Sequence, residues 1–141
     1  MLVRVVVLTA GLLLPRIVAA QSADPEPVDD RYVRVVSHVP PVYPQIAVSA
    51  RIQGVIVVAV TFDAAGAVTK TTILSGMPLI REAAAASVAR WTFAPSRQGR
   101  AIVVADFRMT SECADTEPAP APVLRPPNMI TVYACTPIAQ P

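Results

Sequence analysis

The stretch "GVIVVAVTFDAAGAVTKTTILSG", residues 54–76, limits the fold of this chain more than any other. Two runs rich in β-branched residues flank "AAG", which predicts a hairpin with strands Val55–Asp63 and Ala67–Leu74. Gly66 supplies the positive φ of the turn. Side chains alternate across a strand, so Ile56, Val58, Val60 and Phe62 share one face. Val55, Val57, Ala59 and Thr61 share the other, which is apolar enough to expect cover as well. A two-stranded hairpin is marginal in water, so the rest of the chain must complete it.

Helices and further strands are legible on either side. "VPPVYP" (39–44) is extended, because a residue before proline is pushed out of the helical region. Pro44 then suits the first turn of a short helix, "QIAVSARI" (45–52), with Ile46, Ala47, Ala50 and Ile52 at helical spacing and Gly54 at its stop. "PLIREAAAASVARW" (78–91) predicts the principal helix, with Ile80, Ala84, Val88 and Trp91 on one stripe. "AIVVADFRM" (101–109) reads as a third strand and "MITVYACT" (129–136) as a short fourth. "RYVRVVS" (31–37) is a short strand or an extended arm. Between the last two strands, "ADTEPAPAPVLRPPN" is a proline-rich excursion without a packing pattern. The expected class is α+β: an antiparallel three- to four-stranded sheet with two helices on one face.

The N-terminus points to export. Arg4 precedes an apolar run, Val5–Leu14, which Pro15 breaks, and "VAA" before Gln21 offers small residues to a signal peptidase. Residues 1–20 therefore read as a cleaved signal, and a membrane anchor made of residues 2–20 is the alternative. The apolar run is about half of the roughly 20 residues that a span needs. Residues 21–38, opening with "QSADPEPVDD", are a flexible or extended lead-in whose first ten residues reach at most about 35 Å.

Composition and residue types exclude several activities. Arg4 and Arg16 leave with the signal, so the net charge of +2 falls to zero. No cationic stripe remains for nucleic acid. In an exported chain Cys113 and Cys135 point to a disulfide, with two buried free thiols as the other reading. His38 stands apart from any Cys, Asp or Glu cluster, so neither a metal nor a cofactor is expected. Ser37, Ser75 and Ser111 lack a nearby base. Neither an enzyme nor a small-molecule substrate is expected.

From about Pro41 to Met109 the chain resembles the carboxy-terminal domain of TonB, the periplasmic energy transducer of Gram-negative bacteria. The resemblance rests on Tyr43-Pro44, Ala47, Gly54, the hairpin positions Ile56, Val58, Val60, Gly66 and Val68, "ILSG" (73–76), the segment Ala86–Pro95 that ends "ARWTFAP", and Gly99. It implies a domain over residues 39–112; the residues after it, 113–141, read as a proline-rich loop and C-terminal strand that a Cys113–Cys135 disulfide would tie back. It also implies that the domain takes an extended segment of an outer-membrane receptor, or a similar peptide, by β-strand addition in energy-coupled transport. The receiving edge is then the last core strand, Ile102, Val103, Val104, Ala105, Asp106 and Phe107, with Tyr43 and Pro44 beside the bound segment. Tyr43 and Pro44 equally fit a staple between the first helix and the sheet. The alternative function is an exported interaction or structural domain, monomeric or homodimeric, that reuses the fold without energy transduction.

Overall fold

The computed structural model describes residues 33–94, 99–113 and 118–137. The expected signal, residues 1–20, lies outside the described residues, as does the lead-in up to residue 32. The elements run β1 (Val35–Ser37), α1 (Gln45–Ser49), β2 (Gly54–Phe62), β3 (Val68–Ser75), α2 (Pro78–Val88), β4 (Thr92–Phe93), β5 (Gly99–Thr110), β6 (Val123–Arg125) and β7 (Met129–Cys135). The class is α+β, as expected.

The hairpin forms where the alternation placed it. Asp63 organises the turn: its Oδ1 accepts from the amides of Ala65 and Ala67, each at 3.0 Å. Gly66 sits at φ 87°, a conformation that side chains disfavour. A Cβ there would also collide with the Phe93 carbonyl, so the turn residue doubles as the seat for β4. The Phe93 amide donates to the Gly66 carbonyl at 2.8 Å, which locks the two together.

One face of the sheet holds the core. Ile56, Val58, Val60 and Phe62 are buried, and Val55 is 47% exposed on the opposite face. Val57, Ala59 and Thr61 are half-buried there. Helix α2 starts with Pro78 and buries Ile80, Ala84 and Val88 against β2, β3 and β5. Trp91 is buried too, although the helix ends before it. The Trp91 Nε1–H donates to the Val39 carbonyl at 3.2 Å, and the Ser87 hydroxyl donates to the same carbonyl. These two bonds fasten the extended segment before α1 onto the helix.

Helix α1 is shorter than its sequence spacing suggests. It ends at Ser49, and Arg51 takes φ 54°, so the left-handed stop falls on an arginine rather than on Gly54. Ala47 is buried, whereas Ile46 is 63% exposed. One turn of helix presents only one position to the sheet, so the wider apolar face never forms.

The main sheet has five strands in the order β3–β2–β5–β7–β6. β1 and β4 make a separate two-stranded pair. All pairings are antiparallel except β5 with β7, which is parallel from Val104↔Met129 to Thr110↔Cys135. The cause is the course of the chain after Thr110. It doubles back, makes β6 within the proline-rich excursion, and turns through Pro126 and Pro127. It then enters β7 between β6 and β5. The expectation of no packed structure in residues 114–128 is therefore corrected: Val123–Arg125 pair with Met129–Thr131.

Candidate partner-binding edge

Tyr43 and Pro44 build the corner where the extended segment meets α1. The Pro44 carbonyl accepts the first helical amides, from Ala47 at 2.9 Å and Val48 at 3.0 Å. The Tyr43 hydroxyl donates to the Ile52 carbonyl at 2.5 Å, reaching across the whole of α1. Its ring meets Phe107 edge-on, with centroids 5.2 Å apart. Burial raises the phenol above its ordinary pKa of 10.0, and the nearby Asp106 carboxylate adds to the rise. The staple role is thus realised in full.

Strand β5 presents alternate residues to the two faces. Val103, Ala105 and Phe107 are buried in the core, while Ile102 and Val104 are half-buried on the opposite face. Asp106 also lies on that opposite face yet is only 3% exposed. Its Oδ2 accepts from Arg108 Nε at 2.6 Å, which offsets the cost of burying the carboxylate. The same bond raises the pKa of the exposed Arg108 guanidinium. Both charges act as one local pair.

The backbone of β5, the expected receiving strand, has a neighbour on each side. β2 pairs with it from Gly99 to Phe107 on one side. On the other, β7 closes it from Val104 to Thr110. The ladder begins with the Val104 amide donating to the Asn128 carbonyl at 3.0 Å and ends with the Thr136 amide donating to Thr110 at 2.9 Å. Of the six expected edge residues, Ile102 and Val103 precede the β7 register, and Val104, Ala105, Asp106 and Phe107 lie within it. The physical reason is the apolar face of β7: Ile130 and Val132 are buried, and a sheet edge left open beside them would expose both.

Cys113 and Cys135 are bridged, with Cα atoms 5.7 Å apart and a sequence separation of 22. The bridge stands at the C-terminal ends of β5 and β7, next to the Thr110↔Cys135 pairing. Two further residues support the edge and were not anticipated. Gln53 Oε1 accepts from the Met109 amide at 2.6 Å, extending the β2–β5 ladder by a side chain. Asn128 is buried at the entry to β7. "PPN" before an alternating run was the available sign of such a turn.

No group of three His, Cys, Asp or Glu among the described residues could hold a metal ion. His38 instead packs edge-on to Trp91, with centroids 5.8 Å apart. No helix among the described residues is long and apolar enough to cross a membrane.

The solution NMR structure of the Pseudomonas aeruginosa TonB C-terminal domain is similar, at 24% identity and a TM-score of 0.48. The match covers 59% of this chain and 92% of that one. No match was found among curated proteins. The family profile of the Gram-negative bacterial TonB protein C-terminal domain matches residues 39–109, half of the chain. That segment runs from the extended arm before α1 to the end of β5. The chain belongs to the TonB C-terminal domain family.

Proposed function

We propose that this protein is a TonB-like periplasmic protein that takes an extended segment of an outer-membrane receptor, or a similar peptide, by β-strand addition in energy-coupled transport. The observation that carries this reading is the family match over residues 39–109, the arm, helices, hairpin and strand that build the antiparallel part of the sheet. Strand addition suits a site without reactive side chains: backbone hydrogen bonds supply grip, and alternate side chains supply selectivity. Tyr43, Pro44 and the strand Ile102–Phe107 remain the proposed contact region, of which Ile102 and Val103 lie outside the β7 register. The test is calorimetric titration of residues 21–141 with synthetic plug-segment peptides from TonB-dependent receptors. Saturable one-to-one binding that shifts the amide resonances of β5 supports the reading.

A second reading is favoured by the β7 pairing itself. A domain whose receiving strand is already paired fits an exported interaction or structural module, monomeric or dimeric, with no energy coupling. Absence of binding to every receptor peptide, with the chain folded, would favour this alternative.

A further inference from the structure

We propose that β7 is the resident occupant of the docking edge of β5, so a partner segment gains Val104–Thr110 only by displacing it. The inference rests on the strand-addition reading above, and it adds what that edge selects. The incoming segment must present two branched aliphatic side chains at alternate positions, with a small third.

The selectivity follows from what β7 supplies. Ile130, Val132 and Ala134 stand beside Ala105, Phe107 and Met109, and all three point into the core face. Ile130 is 0% and Val132 4% exposed, so neither space tolerates a polar or charged replacement. On the opposite face Thr131 is 2% exposed and calls for a similarly compact residue, whereas Met129, Tyr133 and Cys135 are half-buried and impose little. A displacing strand needs the aliphatic-x-aliphatic-x-small pattern of residues 130–134, with a compact residue at the first x.

Two features hold the occupant in place. The Cys113–Cys135 bridge pins its C-terminal end beside Thr110, where the ladder also ends. Beyond the bridge, Arg51 donates to the Pro137 carbonyl at 3.3 Å, tying the following segment to the end of α1. Re-pairing of β7 is intramolecular in either redox state, and the closed bridge shortens the tether and so raises its effective concentration at β5. Opening a loop of this size raises the released fraction by about a hundredfold in the chain-entropy treatment. On the far side, β6 is three residues long and is flanked by Pro122 and Pro126, a blunted edge. A partner strand adding beyond β6 would therefore gain few hydrogen bonds.

The probe is the occupant itself: a fluorescein-labelled peptide of residues 129–135 carrying Cys135→Ser. We expect a Cys113→Ser, Cys135→Ser double variant of residues 21–141 to bind it about a hundredfold more tightly than the oxidised parent. A peptide that also carries Ile130→Asp and Val132→Asp should not bind. Affinities within threefold of each other for the two proteins, or full binding by the acidic peptide, would overturn the proposal. Amide exchange of the oxidised parent gives an independent reading. Val104, Asp106 and Arg108 face β7 and should exchange faster than Val103, Ala105 and Phe107, which face β2. Equal exchange of both sets through global unfolding would mean that β7 never leaves a folded domain, and the proposal falls. Binding of receptor peptides without binding of the β7 peptide overturns the occupancy alone and leaves the functional reading intact.

Discussion

Tyr43 shows how one side chain joins the arm, the short helix and the sheet. Its hydroxyl satisfies the Ile52 carbonyl while its ring covers Phe107, so the phenol is held neutral beside a carboxylate. A pKa that is higher folded than unfolded contributes stability that is fully present below about pH 10. That contribution is lost as pH rises through the raised folded value. Alkaline denaturation should therefore begin above pH 10, and Tyr43→Phe should remove this part of the pH dependence. The same variant should cost about 1 kcal/mol near neutral pH, through the lost hydrogen bond. Urea titrations of both proteins at pH 7 and pH 11 check this. An unchanged alkaline slope in Tyr43→Phe would show that the phenol is not its source.

At the scale of elements, β7 is part of the core as well as a cover for β5. Ile130, Thr131, Val132 and Ala134 are buried, and full burial of a side chain such as Ile130 contributes about 1.5–3 kcal/mol. Ile130→Ala should therefore lower the unfolding free energy by about 2–5 kcal/mol, through lost burial and the cavity left behind. Tyr133→Ala, on the half-buried side, should cost less. Chemical denaturation of the two variants makes the comparison. If Ile130→Ala unfolds within 0.5 kcal/mol of the parent (a surface-like effect), β7 adds nothing to the core. Helix α2 illustrates the opposite case, an element whose buried stripe was readable at 3.6-residue spacing before any contact was known.

For the whole molecule, the export reading makes a prediction that does not depend on the sheet. If residues 1–20 are a cleaved signal, protein recovered from a Gram-negative host should begin near Gln21 and partition with the periplasmic fraction. Amino-terminal sequencing that finds Met1 on membrane-bound material would restore the anchored alternative. Local chemistry determined much of the domain: the alternation of β2, the Asp63–Gly66 turn, the alanine-rich α2 with its Pro78 start, and the bridge implied by two cysteines in an exported chain. Each depends on residues close together in sequence, or on a property of the compartment. The neighbour of β5 was of another kind. "MITVYAC" reads as a strand by itself, but its direction and its place inside β6 depend on where the chain could turn after Thr110. β6 was not legible at all, because a three-residue strand among prolines has no period to detect. Tertiary structure alone decided that β5 has two neighbours, since strand order is a property of the packed sheet and hydrophobic alternation specifies only which face of a strand is buried.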